Sequence, residues 1–270
     1  MITGNDITII SNGISVCYDD QGKGTVPIIF LHGFPLDKSM WQPQMNYFKQ
    51  THRVIAMDIR GFGQSFSNDE KENIDLFAFD LIRLMDSLEI PKAIVCGLSM
   101  GGYIVLNAVK NYQERFEAII LCATQCTADS EEAKAKRKIS ISDIKTNGLG
   151  GYTARTIKAI FCAKTLEKEQ KMVEKIRQSI ISTTTKSVIS GLIALAERTD
   201  SCDTLHLIDI PTLILCGDED VVTPLQQSEF MQKQIKNSVM QSIGNAGHLL
   251  NLEQAVTFNQ LLNNFLITLQ

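Results

Sequence analysis

Gly97-Leu98-Ser99-Met100-Gly101 is the stretch of sequence that decides the fold. It lies between an apolar run, Ala93 to Cys96, and a helix-like segment, Tyr103 to Tyr112. A G-x-S-x-G pattern between a strand and a helix predicts a turn so sharp that the serine hydroxyl projects clear of the sheet. A side chain at either glycine would collide with the neighbouring strand or helix. The turn also directs the amide of Met100 to the start of the helix, where a developing oxyanion is best stabilised. A pentapeptide this loose also occurs by chance, so the rest of the chain has to support it.

The composition is that of an ordinary soluble protein. The 270 residues suffice for one large domain or for a domain with an insertion, and 44% are hydrophobic against 21% charged. The net charge of −4, with lysines and acids mixed along the chain, predicts binding neither to nucleic acid nor to an anionic membrane. The N-terminus lacks the pattern of a signal peptide, and no apolar run approaches the ~18 residues of a membrane span. We therefore expect a cytoplasmic protein.

The cysteines predict neither disulfides nor a metal site. There are seven of them, an odd number, and they lie in apolar contexts such as Val95-Cys96-Gly97. This usage predicts buried thiols in a reducing compartment. Cys122 and Cys126 are four residues apart, but no second ligand pair accompanies them, so zinc is not expected. We expect neither a metal nor a cofactor.

Short apolar runs alternate with helical patterns in the first half of the chain. The segments Ile7 to Ile10 and Ile14 to Tyr18 flank Ser11-Asn12-Gly13, which predicts a β-hairpin. Residues 73–88 carry apolar side chains at helical spacing. The later runs do not alternate in polarity, which is typical of strands covered on both faces in a parallel sheet; they are Pro27 to Leu31, Arg53 to Met57, Ala93 to Cys96 and Ala118 to Leu121. Alternating strands and helices predict an α/β layered fold.

A helical insertion is predicted between the two halves of this α/β core. From about residue 125 to about 203 there is no proline, and four helix-like stretches follow one another without a strand pattern, at 131–146, 152–163, 165–182 and 184–198. Strand-like patterns return at Pro211 to Cys216 and at Ser238 to Ile243, before a last amphipathic helix from Glu253. We therefore predict a core of residues 1–124 and 204–270 with an all-helical cap of residues 125–203.

His248 is the candidate general base. A serine hydroxyl is a weak nucleophile at neutral pH and needs a base that a carboxylate orients. In the arrangement built on this kind of turn, the order along the chain is serine, acid, histidine. Of the four histidines, His32 and His52 precede Ser99, and His206 comes before any acid on a late strand. His248 lies in a glycine-rich loop after the last strand and fits that order.

The acid is expected just after the strand Leu213 to Cys216. Gly217-Asp218-Glu219-Asp220 follows that strand and offers three acids in a row. We favour Asp220, because the carboxylate must reach across the top of the sheet to the imidazole, and Asp218 is the alternative.

A second oxyanion donor is expected after the strand Ile28 to Leu31. Gly33 permits the following loop to fold back towards Ser99, and the donor is then the amide of Phe34, because Pro35 has no N–H. An ordinary strand-ending turn is the alternative. The side chains of Phe34, Leu98 and Met100 are expected to line an apolar substrate pocket.

With these residues in place, the chain resembles an α/β-hydrolase with a helical cap, of the kind that includes esterases, 3-oxoadipate enol-lactonase-like enzymes and cofactor-free haloperoxidase-like perhydrolases. The matching stretches span nearly the whole chain outside the cap; they are Leu31 to Asp37 with Met40-Trp41, Asp58 to Ser65, Gly97 to Gly102, Gly217 to Pro224 and Ala246 to His248. The resemblance implies a mostly parallel sheet flanked by helices. It also implies that Asp220, the last acid of a glycine-x-x-aspartate pattern, is the acid of the triad.

The resemblance leaves three functions open. The leading hypothesis is a serine hydrolase that cleaves carboxylic esters of small acyl substrates through an acyl-enzyme. Lactone hydrolysis or perhydrolysis would use the same triad. A ligand-sensing protein on a hydrolase scaffold, with vestigial turnover, belongs to another class. Arg137, Arg155 and Arg198 are candidate counter-charges for an anionic substrate, but charges on a lysine-rich helical segment most often belong to solvated faces. The oligomeric state is not predicted.

Overall fold

One mixed β-sheet runs through the centre of the protein. A computed structural model describes residues 3–11, 13–68 and 71–269. Within these ranges eight strands form the sheet in the order β1-β2-β4-β3-β5-β6-β7-β8. The pairs β1–β2 and β2–β4 are antiparallel and the other neighbours are parallel. The strands are β1 (Gly4–Ser11), β2 (Ile14–Gln21), β3 (Ile28–Leu31), β4 (Val54–Met57), β5 (Ala93–Leu98), β6 (Phe116–Cys122), β7 (Thr212–Gly217) and β8 (Ser238–Ile243).

Helices cover both faces of this sheet. They are α1 (Gln42–Phe48), α2 (Ile74–Ser87), α3 (Met100–Tyr112), α4 (Glu131–Asn147), α5 (Leu149–Ile160), α6 (Ala163–Lys168), α7 (Gln170–Ser182), α8 (Thr185–Glu197), α9 (Leu225–Gln234), α10 (Leu250–Glu253) and α11 (Ala255–Ile267). Short 3-10 helices span Lys38–Trp41, Gln113–Arg115 and Cys202–Leu207. The predicted α/β class is therefore confirmed.

The two faces of the sheet carry two separate apolar cores. Successive residues of a strand point to opposite faces, so Ile29 packs with the helices α2 and α3, whereas Phe30 packs on the other side with α1 and α11. On that side the Trp41 ring lies 4.9 Å from the Phe30 ring and 6.0 Å from the Phe258 ring. Because β3 to β7 are buried on both faces, they carry the continuous apolar runs seen in the sequence.

The predicted hairpin joins β1 and β2. Ser11 pairs with Ile14 at its closed end. The centre of the predicted turn, Asn12, lies outside the described residues.

Five helices, α4 to α8, lie between β6 and β7, where four helical stretches were predicted. The stretch 165–182 is divided because Glu169 leaves the helical region, with φ −111° and ψ 49°, and separates α6 from α7. Residues 125–203 are called the cap segment below, and its exact boundaries remain a proposal.

The cysteine prediction is wrong for two residues. Cys126 and Cys202 form a disulfide, and Cys17, Cys96, Cys122, Cys162 and Cys216 are buried thiols. The disulfide joins the two connections of the cap segment to the sheet, which run side by side: the Ser201 amide donates to the Cys126 carbonyl at 3.0 Å. Because 76 positions separate the two cysteines, the sequence alone does not indicate that they are neighbours.

Among the described residues, no single helix has the length and apolar character to cross a membrane. The helices α7 and α8 meet the length and hydropathy criteria only when they are taken together, and the bend between them is 94°.

Candidate active site

Ser99 lies on the sharp turn between β5 and α3. Its backbone has φ 54° and ψ −111°, a left-handed conformation that is unfavourable for a residue with a side chain. The turn is fixed on both sides, because the Ser99 amide donates to the Cys122 carbonyl at 2.9 Å and the Ser99 carbonyl accepts the Gly102 amide at 2.9 Å. The Thr124 hydroxyl donates to the same carbonyl at 2.9 Å.

The two glycines of the turn are required sterically, as predicted. A Cβ at Gly97 would lie 2.3 Å from the Gly101 carbonyl oxygen. A Cβ at Gly101 would lie 2.4 Å from the carbonyl oxygen of Leu31, at the end of β3. Both contacts are to backbone atoms, which cannot move aside as a flexible side chain does.

Asp220 and His248 are brought together after β7 and β8. The His248 Nδ1–H donates to Asp220 Oδ2 at 2.8 Å, and both residues are buried, His248 at 4% and Asp220 at 6% exposure. Asp218, the alternative acid, is exposed, and its carboxylate accepts only the Ala246 amide, at 3.4 Å, among the described residues. Of the two candidate acids, the structure therefore places Asp220 against the imidazole.

Further donors hold the Asp220 carboxylate. Its Oδ2 accepts the Thr223 hydroxyl at 2.7 Å, and its Oδ1 accepts the amides of Val222 at 2.8 Å and Thr223 at 3.1 Å. Burial alone would raise the pKa of the Asp220 carboxyl, but the facing His248 and the Thr223 donors hold that pKa below its usual range. Asp220 therefore stays ionised at neutral pH. No pattern in the sequence pointed to Thr223.

Ser99 comes to the same edge of the sheet as this pair. The strands β5, β6, β7 and β8 are parallel, and Ser99, Asp220 and His248 follow the carboxyl ends of β5, β7 and β8. Within the described residues no hydrogen bond links Ser99 to His248. Catalytic hydrogen bonds often tighten only when substrate is bound.

The loop after β3 folds back against Ser99. A Cβ at Gly33 would lie 2.9 Å from Leu98 Cδ2 and 3.5 Å from Ser99 Cβ, so the loop backbone is in contact with the turn. The next residue, Phe34, is joined to Pro35 by a cis peptide bond.

His32 fixes the start of this loop, a role that the sequence did not indicate. Its Nε2 accepts the Ile59 amide at 2.9 Å, and its Nδ1–H donates to the Gly33 carbonyl at 3.0 Å. Complete burial lowers the pKa of His32, so the ring is neutral, as this pair of bonds requires.

The predicted pocket residues lie in different surroundings. Phe34 is half-buried and packs edge-on against Phe62, with ring centroids 5.8 Å apart, next to Gly191 of α8. Leu98 and Met100 are completely buried and belong to the apolar cores on opposite faces of the sheet. A pocket lined by all three side chains remains a prediction.

The three candidate arginines of the cap segment bind carboxylates of the protein itself. Arg137 and Arg198 both bind the carboxylate of Asp129, and Arg155 binds Asp143 at 2.5 Å. Assigning Arg198 to a solvated face is wrong: it is 7% exposed, and its guanidinium lies over the Tyr103 ring, 4.4 Å from the centroid.

No group of three or more His, Cys, Asp or Glu side chains suited to a metal occurs in the part of the chain that the structure describes. The side chains that the structure brings to this edge of the sheet include a serine hydroxyl, an imidazole and a carboxylate.

Over most of its length the chain is similar to a known protein family and to several known proteins. The family model described as "alpha/beta hydrolase fold" matches residues 26–255. The chain is 34% identical to 3-oxoadipate enol-lactonase 1 of Acinetobacter baylyi over 248 residues, covering 90% of this chain and 89% of that protein. A thermophilic esterase from Thermogutta terrifontis has a TM-score of 0.93 and 33% identity, covering 97% and 98% of the two chains. The enol-lactonase from Burkholderia xenovorans has a TM-score of 0.91 and 26% identity, covering 97% and 100%.

Proposed function

Because the chain belongs to the α/β-hydrolase family, we propose that it hydrolyses carboxylic esters of small acyl substrates through an acyl-enzyme on Ser99. One observation carries the proposal: the strained turn at Ser99 lies at the sheet edge that also holds the buried Asp220–His248 hydrogen bond. Relatives named esterase and enol-lactonase support hydrolysis of an ester bond, since a lactone is a cyclic ester.

The proposed reaction begins with attack by Ser99 Oγ on the acyl carbonyl. His248 takes the hydroxyl proton on Nε2 and passes it to the leaving alkoxide. Asp220 accepts the Nδ1–H, which fixes the tautomer and stabilises the imidazolium that forms. Water, activated by the same histidine, then hydrolyses the acyl-enzyme.

The amides of Met100 and Phe34 are the proposed oxyanion donors. The Met100 amide is the first of α3, whose aligned peptide dipoles place positive charge at this end. The contact of Gly33 with Ser99 supports the second donor, since it brings the backbone before Phe34 to the turn.

Lactone hydrolysis and perhydrolysis are the alternatives within the same chemistry. Both use the proposed triad; perhydrolysis differs only in that peroxide replaces water on the acyl-enzyme. A panel of lactones and linear esters, assayed with and without hydrogen peroxide, separates them. A ligand-sensing role predicts near-zero turnover across this panel together with ligand-dependent melting shifts.

Replacing Ser99 tests the proposed nucleophile. Ser99→Ala should abolish hydrolysis of short p-nitrophenyl esters and labelling by a fluorophosphonate, while the circular-dichroism spectrum stays native. Ser87→Ala, an exposed serine on α2, is the matched control and should keep both activities. Ester hydrolysis that survives in Ser99→Ala would exclude this nucleophile.

We also propose that the protein works in the cytoplasm on small molecules, on the basis of its composition. The Cys126–Cys202 disulfide is unusual for that compartment. Cell fractionation, combined with alkylation of free thiols before lysis, tests both the location and the redox state of this pair.

A further inference from the structure

Glu253 joins two segments that are far apart in the sequence. It ends α10, shortly after His248. Its Oε1 accepts the Gly247 amide at 2.8 Å, and its Oε2 accepts the Cys162 amide at 2.9 Å. Gly247 directly precedes His248, whereas Cys162 stands at the start of α6 in the cap segment. One carboxylate thus bridges the loop of the histidine and the cap segment.

The backbones of these two segments are also in direct contact. The carbonyl of Ile160, the last residue of α5, accepts the amides of His248 at 3.0 Å and Leu249 at 3.2 Å. A Cβ at Gly247 would lie 2.7 Å from the Cys162 amide nitrogen. The backbone of His248 is therefore anchored on the junction between α5 and α6.

The bridging carboxylate is the acceptor that makes this contact favourable. The amides of Gly247 and Cys162 both donate to the Glu253 carboxylate. Gly247 lies too close to the Cys162 backbone to carry a side chain, and both residues are buried. Hydrogen bonds to an ionised carboxylate are roughly twice as strong as neutral ones. Without Glu253, two buried N–H groups would lose their acceptor, which is costly and favours a shift of the loop.

We propose that Glu253 is a positioning residue that sets the direction of the His248 imidazole by fastening its loop to the cap segment. The inference rests on the proposed function, in which His248 is the base and then the acid of ester cleavage. It couples the cap to the chemistry: a substrate that displaces the α5–α6 junction changes the alignment of the imidazole through Glu253.

Glu253→Gln removes the bridge with little change in size. The amide keeps one acceptor oxygen but sets an NH2 group against the other backbone N–H. Release of an alkyl alcohol needs a proton from His248, whereas p-nitrophenolate leaves without one. We therefore expect kcat/KM for an ethyl ester to fall about 100-fold and that for the p-nitrophenyl ester of the same acid less than about 10-fold. KM should change by less than about threefold, because the acyl pocket is untouched.

A second variant removes the bridge from the side of the cap segment. Cys162 has φ −68° and follows an extended Phe161, with ψ 145°, so the backbone angles suit proline. Proline removes the N–H and the thiol, and its ring Cδ takes the place of the hydrogen that points at Glu253, so the carboxylate is displaced as well. Cys162→Ala, which keeps the N–H, is the reference for Cys162→Pro. The proline variant should change the ratio of the two ester rates as Glu253→Gln does. The double variant Glu253→Gln/Cys162→Pro should change that ratio little more than either single variant.

Gln254→Ala is the matched control on the same turn. The Gln254 side chain donates to the Asn245 carbonyl of the same loop at 2.9 Å, but it does not bridge to the cap segment. This variant should keep the wild-type ratio of the two ester rates. A purely structural role of Glu253 would lower both rates equally, because it would reduce the amount of folded enzyme, and that result would overturn the inference.

The two proposals fail in different ways. Wild-type protein without Ser99-dependent ester hydrolysis overturns the proposed function, and the inference with it. Wild-type activity combined with an unchanged rate ratio in both Glu253→Gln and Cys162→Pro overturns the inference alone.

Discussion

Breaking the Cys126–Cys202 disulfide should lower the stability of the protein by a calculable amount. The bond closes a loop of 76 residues. In the chain-entropy model, opening a loop of this length frees about 4.5 kcal/mol of conformational entropy in the unfolded state at 25 °C. Structure retained in the unfolded chain reduces this value, so we expect a loss of about 2–4 kcal/mol.

This loss corresponds to a moderate shift in melting temperature. The unfolding entropy of a 270-residue chain is about 0.57 kcal/mol/K at about 2.1 cal/mol/K per residue. The Cys126→Ser and Cys202→Ser variants should therefore melt about 4–7 °C below the oxidised wild type. Either change removes the same bond, so the double variant should melt close to each single variant.

Thiol titration and calorimetry together measure the effect. In denaturant without reductant, five of the seven cysteines should react with a thiol reagent, and all seven should react after reduction. Reductant should lower the melting temperature of wild type but not that of the double variant. Seven reactive thiols before reduction, or a wild-type melting temperature indifferent to reductant, would refute the disulfide and the loop-closure argument with it.

Three further predictions concern the edge of the sheet that holds Ser99, Asp220 and His248. Gly101→Ala should cost several kcal/mol of stability and most of the activity, because its Cβ would meet the backbone of β3 at 2.4 Å. Gly150→Ala, at a helical site with nothing within 4 Å, should leave both intact, and equal chemical melts of the two variants would contradict the steric argument. Asp220→Asn should lower kcat on the order of a thousandfold, whereas Asp218→Asn should change it less than about threefold; the reverse order would show that the acid is misassigned. Because the folded-state pKa of Asp220 is lowered, its contribution to stability is present above the unfolded pKa and is lost as pH falls through the folded one. Urea melts from about pH 5 to about pH 2 should thus decline less steeply for Asp220→Asn than for wild type, and parallel declines would count against this contribution.

The sheet and the pairing of Asp220 with His248 could be predicted because their causes are local or follow chain order. Strands covered on both faces must be apolar throughout, and a tight strand-to-helix turn must use glycine where backbones touch. The carboxyl ends of parallel strands meet at one edge, so a late acid and a later histidine come together there. No contact between distant segments had to be known for any of these steps.

The features that could not be predicted all depend on which distant segments become neighbours. Cys126 and Cys202 meet only because both connections of the cap segment leave the sheet side by side. The burial of Arg198 depends on Tyr103 and Asp129, neither of which its own helix supplies. The bridge made by Glu253 likewise joins residues 91 positions apart. Charged residues in a polar stretch look solvated until their partners are known.

The left-handed backbone at Ser99 has a consequence for the stability of this protein. A residue with a side chain at φ 54° costs on the order of 1–3 kcal/mol, which glycine would largely avoid. Ser99→Gly should therefore be inactive and yet more stable than wild type in a chemical melt. Under the proposed function, a serine at this position keeps the nucleophile at the expense of stability, whereas glycine would give a more stable but inactive protein.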